Sequence, residues 1–302
     1  MGVTVERCSR TGRPRSILGV MERAPAVSVT GLEKSYHGTP VVSGFDLRVD
    51  RGEIFALLGP NGAGKTTVVE ILEGHRTRDA GEVRVLGTDP HRAGSRWRAR
   101  IGIVAQQDSA FPDLTVRETL RHFAGYYPSP RDPDEVLEAV GLAERGGARV
   151  PDLSGGQRRR LSVALGIIGD PELLFLDEPT TGFDPEARRR FWALIKKLSA
   201  GGMTILLTTH YLDEAEYLAD RIGLIVAGRM RDVGPPSSVG GRDTDRTLVA
   251  WDTPEGRRER ETATPTATVL ELAERYDGEV PGLSVRRPTL EDVYLRLIGE
   301  HQ

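Results

Sequence analysis

An α/β fold follows from three observations on this chain of 302 residues. The apolar runs Ile54-Phe55-Ala56-Leu57-Leu58, Leu173-Leu174-Phe175-Leu176 and Thr204-Ile205-Leu206-Leu207-Thr208-Thr209 have the composition of buried parallel strands. Between them lie segments with helical apolar spacing, such as Thr67-Val68-Val69-Glu70-Ile71-Leu72 and the stripe Phe191, Leu194, Ile195 and Leu198. The first strand also runs straight into a glycine-rich loop that opens a helix.

The elements follow in order. Residues 1–20 carry Arg7, Arg10, Arg13 and Arg15 with little apolar pattern, and a disordered extension is expected over residues 1–24. Its run Ile17-Leu18-Gly19-Val20 is too short for a signal-peptide core, and Met21 is an alternative start. A main domain is expected over 25–235, opening with strands near Val27–Val29 and Phe45–Val49. A helical subdomain is expected over about 106–160, where Asp132-Pro133 gives a cap and first helical residue before Val136, Leu137 and Val140. Asp184-Pro185 starts another helix, closed by Gly201-Gly202. Beyond Gly234-Pro235-Pro236 the pattern changes to a small α+β appendage over 240–302. Short strands are expected at Thr247–Trp251 and Leu283–Val285. Its last helix is capped by Thr289, with Asp292 three residues on, and presents Leu290, Val293, Tyr294, Leu297 and Ile298 on one face.

Composition narrows the function. The net charge of −3 leaves no nucleic-acid footprint, so no nucleic-acid partner is expected. The runs Arg158–Arg160 and Arg188–Arg190 read as solvated helix faces. The single cysteine, Cys8, cannot form an internal disulfide and fits a reducing compartment. No run of about 18 apolar residues is present, so any membrane part belongs to another chain.

The chemistry sits in three motifs. Gly59-Pro60-Asn61-Gly62-Ala63-Gly64-Lys65-Thr66, followed by Thr67, lies between strand and helix. Its glycines let backbone N–H groups wrap a phosphate chain, with Lys65 reaching the β/γ-phosphates and the Thr66 hydroxyl ligating Mg²⁺. That loop alone does not separate a kinase, a GTPase and a transport motor. The second motif is Leu153-Ser154-Gly155-Gly156-Gln157, another anion site at a positive helix end. In the third, Asp177 and Glu178 project from the end of the Leu173–Leu176 strand, where ligands bind in an open α/β sheet. Asp177 suits a Mg²⁺ shell and Glu178 a water-activating base.

In this order the motifs closely resemble the ATP-binding cassette (ABC) family, the nucleotide-binding subunits of ABC transporters. The resemblance implies a P-loop NTPase fold with a RecA-like core, ATP and Mg²⁺ as ligands, and ATP hydrolysis. Tyr36 matches the family's adenine-stacking aromatic, and Asp184 its aspartate in Thr181-Gly182-Phe183-Asp184. Gln106 matches the glutamine joining core to helical subdomain, which touches metal and water, and His210 matches the histidine at the γ-phosphate. Arg287-Pro288-Thr289-Leu290-Glu291-Asp292-Val293-Tyr294 resembles the tail of type-2 exporters of the daunorubicin/doxorubicin-resistance kind, which export drugs or glycans. The implied partners are a second copy of the chain, in a nucleotide-sandwich dimer, and a membrane permease. The implied place is the cytoplasmic side of the membrane. The competing reading is a non-transport ABC ATPase of signalling or assembly type, which the exporter-like tail disfavours.

Overall fold

The computed structural model describes residues 24–104, 113–241 and 247–299. The expected N-terminal extension up to residue 23, and Gln106, lie outside these residues. The chain first runs through Val27–Tyr36 (β1), Thr39–Val49 (β2), Ile54–Leu58 (β3), Lys65–Leu72 (α1), Ala80–Val85 (β4), Ser95–Arg98 (α2) and Ile101–Val104 (β5). Three helices follow: Val116–Ala124 (α3), Pro133–Ala139 (α4) and Gly155–Ile167 (α5). Next come Leu173–Asp177 (β6), Pro185–Ala200 (α6), Thr204–Thr209 (β7), Leu212–Leu218 (α7), Arg221–Val226 (β8) and Arg229–Gly234 (β9). The tail holds Thr247–Thr253 (β10), Gly256–Thr262 (β11), Pro265–Arg275 (α8), Ser284–Arg286 (β12) and Leu290–Gly299 (α9).

The central sheet has the order β5-β6-β7-β3-β8-β9, parallel except for the β8–β9 hairpin. Its strands read as unbroken apolar runs because both faces are covered. Ile54, Ala56, Leu58, Leu174, Leu176, Ile205 and Leu207 join one core with Leu161, Ala164 and Ile167 of α5 and Phe191 and Ile195 of α6. The alternate residues Phe55, Leu57, Leu173, Phe175 and Leu206 join a second core with Val68, Ile71 and Leu72 of α1. The antiparallel sheet β2-β1-β4 closes that second core through Val27, Leu32, Phe45 and Val83. Each fully buried Leu or Phe here contributes about 1.5–3 kcal/mol. β1 and β2 are therefore longer than the expected Val27–Val29 and Phe45–Val49, and β1 carries Tyr36 at its far end.

The register matters for function. Leu58 pairs with Thr209 and Asp177 with Thr208, so β3, β7 and β6 end at one level. The loops after them share one edge of the sheet. That shared edge is the crevice where open α/β sheets bind ligands.

Helix starts follow local chemistry. Thr115 and Glu118 form a reciprocal capping box at α3, and Asp132 caps α4 ahead of Pro133. Asp184 caps α6 the same way, accepting from the N–H groups of Glu186 and Ala187.

The tail divides differently from the expected appendage. β10, β11 and β12 form a three-stranded sheet whose Val249 and Trp251 pack with Leu272 of α8 and with Val280. β11, exposed along almost its whole length and rich in charge from Arg257 to Glu261, has no apolar signal. α9 leaves this unit: its Leu290 and Val293 enter the main core, beside α7 and β8. Thr289 and Asp292 exchange bonds at its start, and Arg286 grips the same Asp292 carboxylate. Gly240 makes the docking possible. Its φ is +72°, and a Cβ there would lie 2.0 Å from Val293 Cγ1.

Candidate nucleotide site

The loop after β3 bends sharply into α1. Gly62 (φ 79°) and Gly64 (φ 99°) take left-handed conformations, and Gly59 passes so close to Ile225 that a Cβ would lie 2.3 Å from its carbonyl oxygen. A side chain is disfavoured at Gly59 by this contact and at Gly62 and Gly64 by their positive φ, which leaves backbone facing the cleft at these positions. A cleft of about 350 Å³ is lined by Asn61, Gly62, Gly64, Lys65, Thr66, Thr67 and Glu178. Lys65 is buried, and its ammonium donates to the carbonyls of Gly59 (2.8 Å) and Pro60 (3.2 Å). Burial lowers its pKa, while Glu178 and Asp177 oppose the shift. Ala63 is buried behind the loop, and Thr66 is exposed at its mouth.

The end of β6 brings the carboxylates to the same place. Asp177 accepts from the Thr208 hydroxyl of the neighbouring strand at 2.5 Å. Glu178 has φ +42°, unusual for a non-glycine residue. Its N–H donates to the Thr208 carbonyl (3.2 Å) and hydroxyl (3.1 Å). Its Oε1 lies 3.6 Å from Lys65 Nζ and 3.3 Å from His210 Nδ1. His210 follows β7 directly, and its ring lies against Tyr211 at 4.1 Å. Three separated segments thus meet at one carboxylate.

The Leu153–Gln157 motif forms the start of α5. Ser154 and Gln157 make a capping box, the Ser154 hydroxyl accepting from the Gln157 N–H. Gly155 and Gly156 follow in the first turn, Gly155 with open space where a Cβ would stand. This helix end lines a separate cleft of about 840 Å³ with Thr181, Gly182, Asp184 and Arg190. Glu178 borders both clefts, but none of residues 154–157 lines the cleft of the phosphate loop. Asp184 likewise faces the 840 Å³ cleft, with its carboxylate committed to capping α6. Tyr36 is half-buried on β1, within 5.1 Å of the Arg76 guanidinium and 5.5 Å of the Lys34 ammonium.

Two arginine runs do not behave as solvated faces throughout. Arg159 is buried, because its guanidinium donates to the carbonyls of Asp177 (3.1 Å) and Pro179 (3.0 Å). Arg188 lies over the Tyr211 ring at 4.8 Å and pairs with Asp213 at 3.0 Å. Sequence reasoning also missed Glu214, a fully buried acid on α7 that accepts from Trp192 Nε1. Burial raises its pKa, opposed by the Thr209 and Thr180 hydroxyls and by Trp192. With Asp213 and Glu216 beside it, nothing in the sequence sets Glu214 apart.

A glycine loop at a helix start, two carboxylates at a strand end and a histidine from the strand between them define a phosphate-loop nucleoside triphosphatase. A family model described as "ABC transporter" matches residues 42–181. The daunorubicin resistance ATP-binding protein DrrA3 of Streptomyces coeruleorubidus is 37% identical over 310 residues, covering 91% of this chain and 96% of that protein. The Nod factor export ATP-binding protein I of Ralstonia nicotianae is 41% identical over 303 residues, covering 91% and 94%. A dimeric ATP-binding cassette solved after hydrolysis, bound to ADP and Pi, shares the fold with a TM-score of 0.62. It is 24% identical and covers 69% of this chain and 98% of its own. The chain belongs to the ABC transporter family, as the ATP-binding, ATP-hydrolysing subunit of a type-2 exporter.

Proposed function

We propose that the segments meeting at Glu178 hold ATP and Mg²⁺, and that hydrolysis there drives export of a drug, antibiotic, lipid or glycan through a separate membrane permease. The carrying observation is the contact of one carboxylate with both Lys65 and His210. The backbone of residues 59–64 receives the phosphates, with Lys65 countering their charge and Thr67 at the rim. Glu178 takes the proton of the attacking water, with Gln106 as a further water and metal contact. His210 faces the γ-phosphate, and Tyr36 stacks on adenine. Rate then comes chiefly from positioning and charge stabilisation.

The residues present fit Mg²⁺. Thr66 and Asp177 offer two hard oxygen donors, and no cluster of three His, Cys, Asp or Glu side chains exists among the described residues. An ion held by one or two protein oxygens plus phosphates needs no larger cage. It would neutralise charge on the β- and γ-phosphates.

ABC cassettes form dimers and pair with membrane components. In our reading two copies of this chain pair head to tail. Ser154, Gly155, Gly156 and Gln157 of one then cover the ATP held by the other, with Asp184 in the loop between the two sites. No helix among the described residues is long and apolar enough to cross a membrane. In this reading the permease holds the dimer at the cytoplasmic face. The names of the two relatives, which speak of a drug and of Nod factor, support the substrate classes.

Glu178→Gln tests the reading. The variant is expected to bind ATP and to form an ATP-dependent dimer on size exclusion, with turnover lower by about 10²–10⁴-fold. A near-normal ATPase rate would remove Glu178 from the base role.

A further inference from the structure

Glu178 sits in a conformation that needs support. A left-handed non-glycine residue is strained, and such strain persists only where the surroundings over-determine it. Its N–H side is held by Thr208, through the carbonyl at 3.2 Å and the hydroxyl at 3.1 Å. Its other side is held by Arg159. The guanidinium donates from Nη2 to the Asp177 carbonyl at 3.1 Å and from Nε to the Pro179 carbonyl at 3.0 Å. The first carbonyl belongs to the peptide that enters Glu178, and the second to the residue that follows it. The donors lie in one rigid fork, so the two bonds fix the separation and the tilt of both carbonyls.

Arg159 comes from α5, five positions after the Ser154 that caps it. The adjacent Arg158 and Arg160 keep part of their surface in solvent, whereas Arg159 is 5% exposed. A buried guanidinium is costly unless its donors are used. The neighbouring Arg158 is only half-buried and bonds within its own helix start, to the Leu153 carbonyl. Of the three successive arginines, the middle one alone bonds the peptides around Glu178.

We infer that Arg159 is a positioning residue for ATP hydrolysis: it sets the Glu178 carboxylate by clamping the carbonyls on either side of it, from the helix that begins with Ser154. Its guanidinium bonds these two carbonyls, and the inference rests on the reading of Glu178 as the base. Losing the clamp lets the Glu178 peptide relax from φ +42° and moves the carboxylate away from Lys65 and His210. A displacement near 1 Å costs about 10²-fold in a positioned reaction.

The experiment uses Arg159→Met and Arg159→Lys in the full chain, each also combined with Glu178→Gln. ATPase kinetics, ATP affinity by calorimetry and melting temperature are read together. For Arg159→Met, kcat is expected to fall about 10- to 100-fold with ATP affinity and KM changed less than about threefold. Arg159→Lys, with one ammonium in place of a fork, is expected to recover part of the rate. Added to Glu178→Gln, Arg159→Met is expected to lower the residual rate less than twofold, since it acts through that carboxylate. A multiplicative loss in the double variant would overturn the proposal. So would parallel falls in melting temperature, affinity and kcat, which mark a purely structural arginine. If Glu178→Gln alone hydrolyses ATP at a near-normal rate, the base assignment fails instead, and that outcome is distinguishable from the other two.

Discussion

Glu73, at the end of α1, is the buried acid whose behaviour can be worked through most fully. The side chain is about as buried as the core around it, with Oε2 3.3 Å from Nδ1 of the exposed His75. Burial, and then the charges of Asp177 and Glu70, push its pKa from 4.5 up to about 8. A carboxyl whose folded pKa exceeds its unfolded value keeps its proton longer when folded. Between pH 4.5 and about 8 the folded chain therefore binds more protons, and stability falls as pH rises through that window. The slope is about 1.4 kcal/mol per pH unit at most. Glu73→Gln keeps the shape and removes the titration. From pH 5.5 to 8 the variant should gain roughly 3 kcal/mol on the parent chain, or about 5–10 °C in melting temperature. Differential scanning fluorimetry across that range reads the gap directly. A gap that stays constant with pH would show that Glu73 is ionised throughout, and the argument from burial would be wrong.

Other expectations are shorter. Lys65→Ala should weaken ATP binding by about 1.5–3 kcal/mol, read by calorimetry, because it deletes a charge-assisted bond to phosphate. Unchanged affinity would mean that the loop backbone holds the phosphates unaided. Gly240→Ala should cost about 1–3 kcal/mol by forcing a Cβ into Val293, and hydrogen exchange should quicken in α9 before it does in β3. Equal exchange in both would show that α9 is not docked through this contact. Mixing Lys65→Ala chains with Ser154→Arg chains should restore about a quarter of parental activity, since half of randomly paired two-fold dimers keep one intact composite site. Activity no higher than that of either variant alone, with mixed dimers present, would place both elements in one chain's site.

What could be read from the sequence was what faces the cleft. Glycines in the loop after β3, paired carboxylates after β6 and a histidine after β7 are residue types that the chemistry itself selects, so their spacing carried them. The central strands were equally plain, because a sheet covered on both faces leaves continuous apolar runs. The layer beneath the site was not legible. Arg159 has the same letter as Arg158 and Arg160, and only packing against β6 decides which of the three is buried. Glu214 looks like one more acid in Asp213-Glu214-Ala215-Glu216 until Trp192 is placed beside it. β11 alternates charges on an edge strand, so period-two hydrophobicity never appears. The docking of α9 depends on Gly240, whose need for positive φ is invisible without knowing what approaches it.

The two helix ends are the structural ground for the proposed two-chain site. α1 follows Gly62 and Gly64, α5 begins with Gly155 and Gly156, and a helix start points N–H groups without intrahelical partners outward, the arrangement that favours an anion. Each end opens into its own cleft, and the residues lining the two clefts overlap only at Glu178. One triphosphate on α1 therefore does not also meet Ser154, Gly155 and Gly156 of the same chain. In the proposed dimer, a second copy turned by a two-fold axis brings its α5 to the first copy's phosphates and receives the same in return, so both sites close together. Each bound nucleotide then counts as interface, and hydrolysis removes contacts from both chains at once. The clamp from Arg159 runs from that same α5 to the chain's own Glu178. In the proposed dimer, the helix whose start covers the partner's nucleotide thus also bonds the backbone on either side of the chain's own proposed base.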